Sequence, residues 1–135
     1  MTRYLLDVSA LVALGFNEHG FYERVVRWVQ TLSPGEDEFA TCAITELGFV
    51  RLLTQAPQYG FSIAEAKLAL HRLKSSGDIA FTFIADDHDA SRLPSWVKTP
   101  KQTTDGHLAQ LAKANGAMLA TLDRGIPGAF LIPQS

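Results

Sequence analysis

The sequence predicts an α/β fold, a three-layer α/β/α sandwich around a mostly parallel sheet, and three observations predict it. Apolar runs of strand length alternate with amphipathic segments of helix length, the pattern that arises when parallel strands are covered on both faces. The chain has 135 residues and 47% hydrophobic composition, enough for one substantial core and short for two, so residues 1–135 are expected to form one domain. Two isolated aspartates, Asp7 and Asp123, stand directly after strand-like runs, where an open α/β sheet builds its ligand crevice.

Residues 3–6 read as the first strand, and Ser9 is placed to cap a short helix over 10–15. A second helix over about 19–32 carries Phe21, Val25, Val26, Trp28, Val29 and Leu32 before Pro34 and Gly35 end it. After a polar turn, a short strand near 38–40 leads to Thr41, a capping side chain for a helix that reaches about Gln55, ahead of Pro57. "SIAE", residues 62–65, has the spacing of a capping box and opens a helix to about Ser75, broken by Gly77 and Asp78. "IAFTFI", residues 79–84, is a strand, followed by the acidic loop "ADDHD" and an irregular, proline-containing segment over 93–102. Thr104 is expected to cap "DGHLAQLAKAN", which Gly116 stops. "AMLATL" is then a strand ending at Asp123, and "AFLI", residues 129–132, a short last one.

Twelve Lys and Arg against fourteen Asp and Glu leave a net charge of −2, so there is no global basic field of the kind that draws nucleic acid. Contact with nucleic acid must then come from a local patch or from metal ions. The single cysteine, Cys42, can form neither an internal disulfide nor a zinc cluster by itself, which fits a reducing interior. Asp7 interrupts the first apolar run too early for a signal peptide or a spanning helix, so a soluble, cytoplasmic protein without a membrane partner is expected. Low-complexity tracts and solenoid-period repeats are not found.

Four carboxylates stand out. Asp7 and Asp123 could each be no more than a cap for the turn that follows. Glu46 is harder to explain that way: at 100° per residue it shares a sector with Cys42, Ala43, Phe49, Val50 and Leu53, whereas Thr45, Gly48, Arg51 and Gln55 point elsewhere. A carboxylate among core-facing positions must be protonated, paired or bound to a cation, with Arg51 and Arg124 as candidate partners. Asp105 lies in the first turn of its helix, where it complements the helix dipole, yet it borders Leu108, Ala109 and Ala112 on the inward side. If the four converged they would raise one another's pKa, and a divalent cation removes that conflict. Oxygen donors without a Cys and His cluster select Mg²⁺ or Mn²⁺, ions that bind phosphate oxygens and acidify water.

With a strand leading into "LLDVSALVAL", a mid-chain "TELGFVRLL" and a late "TTDGHLAQLAKANGAMLATLD", the chain resembles the PIN-domain ribonucleases, specifically the VapC-type toxins of toxin–antitoxin pairs. The resemblance runs from Leu5 to about Ile126 and keeps the order Asp, Glu, Asp, Asp. It implies a Mg²⁺- or Mn²⁺-dependent endoribonuclease, a cognate antitoxin that neutralises it, pairing as a homodimer, and Asp7, Glu46, Asp105 and Asp123 as the acidic quartet. By the same resemblance Asp7 and Asp105 bind the first metal directly and Glu46 binds it directly or through water. Asp123 completes the site or orients the attacking water, while Ser9 and Thr121 support the carboxylates with hydrogen bonds and Thr104 stands beside Asp105 as a capping residue. It also implies cleavage of RNA to 5′-phosphate and 3′-hydroxyl ends; one ion or two remains open.

His19, His71, His88 and His107 read as solvated, and Asp86, Asp87 and Asp89 as a solvated loop. Phe21, Tyr22 and Trp28 are either core or an antitoxin or dimer surface, and Trp96 either stacks on a base or anchors its own loop. Arg24, Arg27, Arg72, Lys74, Lys98 and Lys101 are candidates for a positive rim that holds RNA phosphates. Three rivals compete. A dehalogenase-like phosphatase needs an acid where Ser9 stands, and a receiver domain needs an acidic pair and a late lysine that are not evident. A catalytically inactive binding module has no reason to keep all four acids.

Overall fold

The computed structural model describes residues 1–134. The chain runs β1 (Thr2–Leu6), α1 (Val8–Gly15), α2 (Tyr22–Val29), β2 (Asp37–Cys42), α3 (Ala43–Gln55), α4 (Ile63–Ser76), β3 (Ala80–Ile84), α5 (Thr103–Ala114), β4 (Met118–Thr121) and β5 (Phe130–Leu131). Single 3₁₀ turns lie at Ala90–Arg92 and Pro100–Gln102. Every strand pairing is parallel, in the order β3-β2-β1-β4-β5. The chain therefore builds outward from β1 to β3, then returns to the other side of β1 for β4 and β5. That reversal creates a switch point between β1 and β4, where the connections leave in opposite directions and a crevice opens at the carboxyl ends.

Leu5 and Leu6, adjacent and both fully buried, enter different cores because successive strand side chains point to opposite faces. Leu6 packs with Leu11 of α1, Val25 of α2, Phe49 of α3 and Leu70 of α4. Leu5 packs with Leu108, Leu111 and Ala112 of α5. The sheet is thus covered on both sides, the sandwich expected, and its strands read as near-continuous apolar runs for that reason. Trp28 belongs to the core: Tyr4 meets it edge-on at 5.0 Å between ring centres, which removes it from any partner surface. Trp96 packs against the α5 side and anchors its own loop.

The helix starts differ from expectation in a consistent way. Asp7 itself caps α1, accepting a hydrogen bond from the Ala10 N–H at 2.8 Å, and Ser9 is exposed on the first turn. Thr41 stays in β2, opposite Phe83, and α3 starts after Cys42, whose N–H is bound by the Thr45 hydroxyl at 3.0 Å. The turn at Pro100–Gln102 runs directly into α5, so Gln102 takes the cap position and Thr104 lies exposed within the helix. The Ser62–Glu65 capping box forms as expected, with bonds of 3.1 and 2.9 Å. Helix α2 is shorter than its apolar pattern because the chain turns at His19, whose ring accepts from the Phe21 N–H.

Helices α1 and α3 approach very closely at Gly48, where an added Cβ would stand 2.5 Å from Val8 Cγ2. This contact draws Thr45 and Gly48 into the interior and leaves Ala43 exposed, correcting the wheel assignment of α3. Gly48→Ala gains at most about 1 kcal/mol of helix propensity. Overpacking against a branched side chain costs about 1–3 kcal/mol, so the variant is expected to melt below the parent. A higher midpoint in thermal denaturation would contradict the packing described.

Candidate active site

The register Leu6↔Ala120 sets Asp7 beside Thr121 at the switch point, and the Asp7 N–H extends the ladder to the Ala120 carbonyl at 3.1 Å. Asp7 is buried, at 7% exposure. That burial is the main influence on its carboxyl and raises its pKa; hydrogen bonds from the Thr121 hydroxyl and the Ala10 N–H pull the other way, and the charges of Asp105 and Asp123 add to the rise. Thr121, fully buried, also accepts from the Asp123 N–H at 2.9 Å, so one hydroxyl ties the ends of both central strands together. It supports the carboxylates as expected of it; Ser9 does not, since its helix position turns it to solvent.

Asp105 enters from α5, the opposite layer to α1 and α3. Partial burial raises its pKa, and the charge of Asp123 raises it further. Asp123 is exposed, and its carboxylate accepts from the Gly125 N–H at 2.8 Å, holding the loop after β4 in a tight turn. Three aspartates from three elements thus gather closely enough to feel one another's charge.

Glu46 is engaged differently. Its Oε2 accepts from the Thr41 hydroxyl at 2.6 Å and pairs with Lys74 Nζ of α4, also at 2.6 Å. Lys74 takes the place expected for Arg51 or Arg124. Among the described residues no three His, Cys, Asp or Glu side chains close into a cage for an ion. The donor chemistry nevertheless fits a hard divalent cation: crowded carboxylates with raised pKa and no soft ligand beside them.

Two features escaped the sequence. The Thr41 hydroxyl, a cap by residue type, instead orients Glu46. Asp86, beyond the end of β3, pairs with His107 on α5, and the His88 side chain is only 3% exposed, with Nδ1 lacking a partner among the described residues. Burial works against the Asp86 charge, but bonds from the His88 N–H and the His107 ring, with the charges of both rings, hold its pKa below the usual carboxylate range. His88 and His107 are therefore not solvated, although Asp87, at 88% side-chain exposure, is. No local pattern marks this cluster, because its members meet only when the loop after β3 folds across the start of α5. Of the basic rim candidates, Arg24 is taken up by the carbonyls of Ile132 and Pro133.

Between α3 and α4 lies an open groove of ≈ 650 Å³, lined by Leu47, Val50, Ile63 and Leu70 together with Glu46 and Lys74. Of the aromatic residues at α2, Trp28 is buried, whereas Phe21 is 49% exposed.

Fold and crevice together define an α/β protein with an acidic site at the switch point of a parallel sheet. Residues 4–129 match the PIN domain family model, and the chain belongs to the PIN-domain family, among its VapC-type ribonuclease toxins. It is 36% identical over 132 residues to ribonuclease VapC38 of Mycobacterium tuberculosis, covering 90% of this chain and 86% of that one. It is 38% identical over 132 residues to ribonuclease VapC44 of the same species, covering 92% and 88%. Among solved structures, VapC20 of Mycobacterium tuberculosis, described as a sarcin-ricin loop cleaving toxin, superposes with a TM-score of 0.66 at 13% identity over 98% of this chain and 99% of its own. VapBC2 of Rickettsia felis, solved with a DNA fragment from its promoter, gives 0.65 at 14% identity over 96% and 97%. At those identities the structures bear on the fold alone.

Proposed function

We propose that the chain is a Mg²⁺- or Mn²⁺-dependent endoribonuclease, the toxin of a toxin–antitoxin pair, acting in the cytoplasm. The observation that carries this is the gathering of Asp7, Asp105 and Asp123 at the switch point with the pKa of Asp7 and Asp105 raised, a charge conflict that a dication relieves. When bound, such an ion neutralises the carboxylates and strengthens both the acidity of water and the pull on phosphate oxygens. Asp7 and Asp105 would hold it, and Glu46 would join directly or through water. Thr121 keeps Asp7 in place, and Asp123, exposed at the mouth, accepts a hydrogen bond from the attacking water, aligns it with the phosphorus and takes up its proton as the 3′-oxygen leaves. In-line attack there leaves 5′-phosphate and 3′-hydroxyl ends. The antitoxin reading draws on the likeness to VapC ribonucleases, with structural neighbours in VapBC2 and FitAB, each solved with a DNA fragment, and pairing of two copies is proposed with it.

Expression of the chain without an antitoxin should arrest growth, and Asp105→Ala should relieve the arrest. In vitro, single-stranded RNA should be cut in Mn²⁺ and spared in excess chelator. Cleavage that continues undiminished in Asp105→Ala with chelator present would refute the reading.

A further inference from the structure

Among the described residues, Glu46 is the member of the acidic set that is paired with a cation. Lys74 Nζ and the Thr41 hydroxyl both bind its Oε2, and Lys74 also lies 5.9 Å from the centre of the Phe83 ring, which is 55% exposed at the edge of the sheet. The side chains of the pair are 30% and 23% exposed, so solvent and ligands reach it. Lys67, His71 and Lys74 follow one another at intervals of four and three on α4 and hence share a face. All three line the groove between α3 and α4 that Glu46 also lines. The chain's net charge is −2, yet this stripe is locally basic and borders Glu46 in the same groove.

We propose that Lys74 is a positioning residue that exchanges partners. Without RNA it holds Glu46 aside; with RNA lying along α4 it binds a backbone phosphate and releases Glu46 to join Asp7, Asp105 and Asp123 around the ion. The inference rests on the ribonuclease reading above. A lysine suits the exchange because its ammonium is a mobile point charge whose three donors need no fixed plane. A partly exposed ion pair is weak, so a phosphate oxygen is a competitive alternative. Glu46 is also the acid that comes from the α3 layer, so moving it completes the set without disturbing the buried Asp7. Since the same release favours both ligands, RNA and cation strengthen each other's binding.

Lys74→Met tests this with two readouts that must move in opposite directions. In titration calorimetry Mn²⁺ should bind Lys74→Met about two- to fivefold more tightly than the parent, the size expected when a partly exposed pair is removed. In chelator, poly(U) should bind it more weakly, with a salt dependence reduced by about one ion. Lys74→Arg, which keeps the charge, should resemble the parent in both. Unchanged or weaker Mn²⁺ binding by Lys74→Met, or unchanged poly(U) binding as expected of a purely protein-docking groove, overturns the inference while leaving the ribonuclease reading intact. Absence in the parent of Mn²⁺ binding that Asp7→Asn removes overturns both.

Discussion

Asp7→Asn should reduce RNA cleavage by about two to three orders of magnitude, the scale on which loss of one charge-stabilising group acts in an active site, and should at the same time stabilise the metal-free protein. The second effect follows from burial. The folded-state pKa of Asp7 lies above its ordinary value, so folding is favoured by this group at low pH and that advantage is lost as pH rises through the folded pKa. At neutral pH the wild type carries the full penalty of a buried, crowded carboxylate. Asparagine removes the charge and still caps α1 by accepting from the Ala10 N–H. In chelator the variant should melt above the wild type at pH 7, and the gap should close as pH falls into the ordinary carboxyl range. Adding Mn²⁺ at a hundred times its dissociation constant should then raise the wild type by about 2.7 kcal/mol, with no response from the variant. A variant less stable than wild type in chelator at pH 7 would show that Asp7 is held mainly by its hydrogen bonds.

Phe49→Ala should be the most damaging single change to the scaffold. Its ring is fully buried at the meeting of α1, α3 and α4, with Cε2 only 2.8 Å from where a Gly15 Cβ would stand and Leu73 alongside. Removal of a buried aromatic of this kind costs about 3–5 kcal/mol, a large part of the roughly 5–15 kcal/mol that holds a domain together. The denaturation midpoint should fall by about 10–20 °C. Because α3 also carries Glu46, RNA cleavage should fall in the folded fraction too. A loss under about 1 kcal/mol in urea titration would mean that the helices close over the void, contrary to the tight packing at Gly15 and Gly48.

The parts of the site that could be read in advance are those marked by local pattern. Asp7 and Asp123 end apolar strand runs, and Asp105 opens a strongly periodic helix, so their place at the carboxyl edge follows from strand and helix signals alone. Ser9 and Thr104 are good caps by residue type, but cap identity depends on the angle at which a strand or turn enters its helix; at α1 the extended backbone of Asp7 lets that carboxylate reach the Ala10 N–H first. Thr45 and Gly48 are buried against the periodicity of α3, since that periodicity describes one face and α3 is covered from two directions, by the sheet and by Val8 of α1.

The order of residues along the chain was sufficient for the layered α/β architecture and for the place of Asp7, Asp105 and Asp123 at its carboxyl edge, because hydrophobic period, turn residues and charge isolation act over a few positions. Three-dimensional packing alone chose the partners: Lys74 for Glu46 across 28 positions, His107 for Asp86 across 21, and Thr121 for Asp7 across the strand pair. Such pairings depend on how helices slide and turn against the sheet, and that is set by the summed fit of the core, which no short stretch of sequence contains.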